Sequence, residues 1–202
     1  TVALRDGSAL TARAAEDIHI QEVLGSLHVA EINGQGNVIL RAKDSILDAR
    51  GERPLAVRGS GVNLIAEQGG IGTAENPFHF EAASSGQLTA QASGSVYLIA
   101  PTTGLVNLGD ITSGGVLVVE GAGQLHVSGL LTASGALNLS SGGSIVAGPS
   151  SKMASMGKLT LTGLNITMAE GSSAESEDDM EITAAGSAEL STLQASNVAI
   201  SA

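Results

Sequence analysis

The side chains with chemical potential are 4 histidines and 20 carboxylates. His19, His28, His79 and His126 stand in the contexts "IHI", "LHV", "FHF" and "LHV". On an alternating strand, an imidazole between two inward apolar residues points outward, so all four are expected on the surface rather than converging as bases or ligands. The densest acidic group is "ESEDDME", in which Glu175, Glu177, Asp178, Asp179 and Glu181 could offer oxygen ligands to Ca²⁺. Neither the spacing of an EF-hand loop nor the GGxGxDxUx repeat of calcium-binding β-rolls is present. The run therefore reads as a solvated acidic loop, with Glu175, Glu177, Asp178 and Asp179 as its candidate Ca²⁺ set.

Sugar-cleaving chemistry needs a pair of carboxylates held together on one face. Here Glu31, Asp110, Glu120 and Glu170 are scattered, and Arg and Lys crowd into residues 41–58 without an aromatic platform. No nucleophile elbow, phosphate-binding glycine loop or metal-ligand spacing occurs. The reading is non-enzymatic, with no cofactor. "NLS" at Asn138 and "NIT" at Asn165 match the N-glycosylation acceptor pattern, and both Asn side chains are expected to point outward.

The elements that must carry these groups are short and alternating: "DIHI", "SLHV", "NVIL", "VNLIA", "SVYLIA", "VLVV", "KLTLT" and others, bounded by Gly, Ser or Asn. Leu27, Val29, Ile32, Gly36, Val38 and Leu40 recur in spacing as Val106, Leu108, Ile111, Gly115, Leu117 and Val119. Strands at Val96, Val116, Leu137, Leu159 and Met180 follow one another every 20 to 22 residues. A unit that long makes one rung of strands and corners, and it buries its inward side chains only by stacking on the next rung. The sequence predicts an all-β fold, a right-handed parallel β-helix of roughly nine or ten rungs at the 4.8 Å strand spacing. Corners are expected at Ala30 and Glu31, and at Gly36 through a positive φ. Residues 1–202 read as a single β-helix segment, an excerpt of a longer rod. Residues 170–182 read as a protruding loop, with Gly171, Ser172, Ser173, Glu175 and Asp178 as candidate ligand contacts.

Composition narrows the function. The core must be narrow and aliphatic, since Phe numbers 2, Tyr 1 and Trp 0. A formal charge of −11 leaves no basic stripe for nucleic acid and no attraction to an anionic membrane, and direct membrane insertion is not expected. With no cysteine, neither disulfides nor thiolate metal sites can form.

The glycine-rich rungs, together with the phrase "GGIGTAENPF" starting at Gly69, resemble the repeat shafts of filamentous haemagglutinin-like bacterial adhesins. The resemblance covers the whole chain as a pattern, and residues 70–77 are its specific part. It implies the shaft or adhesive segment of a large secreted protein of the bacterial cell surface, exported by an outer-membrane transporter. Attachment to host cells, other bacteria or biofilm matrix would follow, through glycans, a host receptor or matrix polysaccharide. The alternative on the same fold is a carbohydrate-binding or polysaccharide-degrading module.

Overall fold

A computed structural model describes residues 8–51 and 54–202. Among these residues there is no helix; short parallel strands stack into a β-solenoid of about 9 turns. One sheet has 11 strands and runs from Ala9–Ala14 through Leu27–Gly34, Val57–Gly59, Phe78–Ala82 and Val96–Ala100 to Val198–Ser201. The other has 13 strands and begins Ile18–Glu22, Val38–Ala42, Val62–Ala66, Leu88–Ala92 and Val106–Ser113. It then splits. Val106 to Leu108 continue into Leu125–Val127, whereas Ile111 to Ser113 continue into Leu130–Ala133. From there each rung has three strands.

Inward apolar residues form columns because successive rungs pair in register. Val96, Leu117, Leu137, Leu159 and Met180 make one, and Leu98, Val119, Leu139, Leu161 and Ile182 the next. The strand equivalent to Val96 thus begins at Leu117, one residue beyond the expected Val116. All of these side chains are buried, as are Phe78 and Phe80. Each column removes aliphatic surface from water at about 25 cal/mol per Å², the main stabilising term in a fold without large rings elsewhere.

The repeated spacing has a different cause from the one expected. Residues 30 and 31 form no corner: the strand runs unbroken over Leu27–Gly34, with Val29 and Ala30 both buried. Its partner shifts register there, Leu10 facing Val29 and Thr11 facing Glu31. An irregularity of the same kind separates Leu108 from Ile111 in Val106–Ser113. One extra residue bends the strand and restores inward alternation after a step of three. The two copies lie in different sheets, so the shared spacing marks a way of bending a strand rather than one corner of the rod. Gly36 also differs: the positive-φ glycines among the described residues are Gly51, Gly72 and Gly171. A Cβ on Gly36 would lie 2.3 Å from Asp17 Oδ1 and 2.7 Å from Asp17 N, so close stacking on the preceding rung excludes a side chain.

Corners are held by inward serines. The Ser141 hydroxyl, 7% exposed, donates to Gly123 O at 2.6 Å on the previous rung and accepts from Gly143 N at 3.1 Å. Ser113 touches Gly94 O and Val116 O and accepts from Gly115 N; Ser176 contacts Gly157 O and accepts from Asp178 N. Among the described residues no buried side-chain nitrogen or oxygen lacks a partner. Ser141→Ala leaves a carbonyl and an N–H unpaired, and is expected to cost about 1–3 kcal/mol. A urea titration should show a lower midpoint with an unchanged slope, whereas outward Thr162→Ala should move stability by less than about 0.5 kcal/mol.

Outward charges pair between neighbouring rungs: Arg13 with Glu31, Arg58 with Glu81, Lys152 with Glu175 and Lys158 with Glu181. Glu67 receives Lys43 Nζ at 3.0 Å and Arg41 Nε at 2.7 Å. Hydrogen bonds from Lys43 and then Arg41 hold its carboxyl below the usual 4.5. Such exposed pairs contribute little each, but they keep like charges from stacking.

Candidate functional site

The acidic stretch lies within the ladder. Ser173–Ser176 is a strand pairing with Lys152–Ser155 on one side and Thr192–Gln194 on the other, and Met180–Ala184 pairs with Leu159–Gly163. Residues 170–182 are therefore not a protruding loop. Ala174 alternates inward and fills the core, and that burial draws the segment into register. Gly171, at φ 82°, and Ser172 make a tight turn in which Ser172 N donates to Ala169 O at 3.0 Å. The turn stacks on an equivalent one in which Ser151 N donates to Gly148 O.

Ladder geometry also separates the carboxylates. Glu175 faces Lys152 Nζ at 2.6 Å, Glu181 pairs with Lys158, and Asp179 Oδ1 accepts from Asn197 Nδ2 at 2.7 Å. Glu177 and Asp178 are exposed at the turn between the two strands. Among the described residues no three His, Cys, Asp or Glu side chains are grouped to hold a metal ion. Of the ligand contacts expected on that loop, Ser172 and Ser173 are taken up in turn and strand.

Asn165 departs from expectation as well. It precedes the strand Ile166–Met168 at a corner, where its Oδ1 accepts from Ser187 N at 3.0 Å and its Nδ2 reaches Ser144 Oγ at 3.3 Å. Three rungs are joined through this amide. Asn138 does lie outward, between inward Leu137 and Leu139.

His79 is not an open surface residue. Its side chain is 15% exposed and sits over Asp48, whose own side chain is 1% exposed. One Asp48 oxygen accepts from Arg50 N at 2.9 Å; the other accepts from Arg50 Nε at 2.9 Å and His79 N at 3.2 Å. Arg50 Nη2 lies 2.9 Å from His79 Nε2. A guanidinium can only donate, so Nε2 is the acceptor and the proton is on Nδ1, between Asp48 Oδ2 and Pro77 O. Arg50 thus covers Nε2. The cluster is a lock that ties residues 48–50 to the excursion from the ladder at residues 72–77. Asn76 Nδ2 closes it by donating to Asp48 O at 2.8 Å. Within the excursion Asn76 N donates to Thr73 Oγ1 at 3.0 Å, and Gly72 turns at φ 63° where a Cβ would meet Phe78 N and Tyr97 O at 2.6 Å.

A concavity lies on the 13-stranded sheet, a trough of about 610 Å³ crossing five rungs. Gly61 and Gly86 leave it open, and Asn37, Asn63, Gln87, Thr89, Asn107 and His126 line it. No Asp, Glu, Lys or Arg is among its lining residues. Asn107 Nδ2 donates to Ser84 O at 2.7 Å and Gly86 O at 3.1 Å, which turns Oδ1 toward His126 Nδ1 at 3.0 Å. That fixes the proton on Nδ1 and leaves Nε2 as an acceptor. Gln87 Nε2 donates to Ser128 Oγ at 2.9 Å. The amide of Asn63 and the hydroxyl of Thr89 make no intramolecular hydrogen bond among the described residues. His126, expected on the surface, lies in this trough among amides that no sequence motif marks. Their only signal is a polar residue immediately before or inside successive strands of one sheet.

Compared with known protein families, curated proteins and solved structures, the chain finds no match. Among the described residues, no helix is long and apolar enough to cross a membrane.

Proposed function

We propose that the chain is a load-bearing shaft segment of a secreted bacterial surface adhesin, holding a binding region away from the cell that displays it. The observation that carries this reading is the continuous parallel ladder of about 9 turns in which every described buried polar side-chain atom is paired. Such a rod needs neither disulfide nor cofactor for stiffness, because each rung is fixed by the backbone bonds of its two neighbours. The phrase at residues 70–77, which resembles the adhesin shafts, acts here as a corner closed by Thr73 and Asn76 and tied to Asp48. In this reading the parent protein reaches the outer surface through an outer-membrane transporter, and it attaches its cell to host cells, other bacteria or biofilm matrix.

A non-catalytic role is part of the proposal. The most elaborate titratable cluster, Asp48 with Arg50 and His79, ties residues 48–50 to residues 76–79 and so has a structural task. The test is mechanical: tethered at its two ends, the chain should resist axial pulling and give way rung by rung. The trough favours a second role on the same rod, as a carbohydrate-binding surface.

A further inference from the structure

The shaft reading needs no ligand; the trough on the 13-stranded sheet supplies a reason for one. We infer that this trough binds an extended, uncharged, hydroxyl-rich chain, a neutral oligosaccharide lying along the rod axis.

Four observations select that chemistry. First, the lining carries no formal charge when His126 is neutral, and the chain as a whole is at −11, so phosphate, sulfate and uronate groups gain nothing there. Second, the lining mixes donors and acceptors at close spacing. The free amide of Asn63 and the hydroxyl of Thr89 occupy paired positions on adjacent strands. Asn37 keeps its Nδ2 for a ligand while its Oδ1 accepts from Ser60 Oγ at 3.2 Å. His126 offers Nε2 as an acceptor. A sugar hydroxyl both donates and accepts, and vicinal pairs of them fit such a mixture.

Third, the groups repeat with the rungs, about 4.8 Å apart, close to the length of one pyranose unit. Asn37, Gln87, Asn107 and His126 stand in one line along the rod, interrupted by Gly61, so a linear glycan meets an in-line polar group on four of the five rungs. Fourth, the orientation of the deepest groups is set before any ligand arrives. Asn107 is held by two backbone carbonyls and in turn holds His126, and Gln87 is held by Ser128. Preorganised groups lose little freedom on binding. The floor stays open because it is glycine: a Cβ at Gly61 would come within 2.8 Å of Asn37 Oδ1. A polar trough without aromatic stacking binds weakly at a single site. Many copies displayed on one surface would turn that into strong attachment.

The experiment uses the full chain, titrated by NMR and calorimetry with short linear oligosaccharides of glucose, mannose and galactose and with an oligouronate. Three variants accompany it: the double change Asn63→Ala with Thr89→Val, the blocking change Thr89→Trp, and Thr162→Ala on the other sheet. All three positions face outward, and circular dichroism checks that each variant keeps its strands. The expected result is saturable millimolar or tighter binding of at least one neutral oligosaccharide. The double variant should weaken it about ten-fold or more, Thr89→Trp should abolish it, and Thr162→Ala should leave it unchanged. Three outcomes would overturn the inference: no saturable binding by any neutral oligosaccharide, binding indifferent to the Asn63 and Thr89 changes, or equal binding of the oligouronate.

Discussion

Phe80→Ala is expected to lower the unfolding free energy by about 3–5 kcal/mol, the largest single effect in the chain. Phe80 is fully buried and pairs in register with Val57, and Phe78, also fully buried, pairs with Leu98. The two rings fill the core at the level where residues 72–77 leave the ladder. Because the fold is a stack of rungs, the loss should be local. Hydrogen exchange should accelerate in Val57–Gly59 and Val96–Ala100 and stay nearly unchanged in Leu159–Gly163 and Met180–Ala184. Uniform acceleration along the chain would mean a single cooperative core rather than a stack.

Asp48→Ala should follow at about 2–3 kcal/mol. Removing one partner of a buried pair costs about 3–5 kcal/mol, and the figure is smaller here because Arg50 and His79 keep some water contact, at 20% and 15% exposure. The change strips acceptors from Arg50 N, Arg50 Nε and His79 N together. Asp48→Asn should be little better, since its amide nitrogen would confront donors. A double-mutant cycle of Asp48→Ala with His79→Ala separates a lock from two independent contacts. The lock requires the double variant to lose markedly less than the sum of the two single changes. Additive losses would show that Asp48 and His79 act separately.

The columns were legible because burial in a strand repeats every two residues and burial in a rung repeats every 20 or so. Leu137, Leu139, Leu159 and Leu161 announce themselves on both counts. Local chemistry hid the rest. A β-bulge and a corner both shift the inward alternation, so Val29-Ala30-Glu31-Ile32 reads equally as either, and only the register opposite Leu10 and Thr11 decides. The acidic segment looked like a loop because its polar letters outnumber the single inward Ala174. The lock joins positions 31 apart, and its partner Asp48 sits in "SILDARG", where alternation from Ile46 turns it inward but apolar Leu47 suggests the opposite face. The trough is assembled from five rungs, each contributing one to three polar residues that look ordinary alone.

Stacked rungs, rather than a globular core, hold this chain. The direct measurement is single-molecule stretching of the chain between tethers at its two ends. A stack of rungs predicts a series of yielding events, each releasing about 60–90 Å, the extended length of one rung. A single event releasing the whole length at once, or smooth extension without steps, would contradict it.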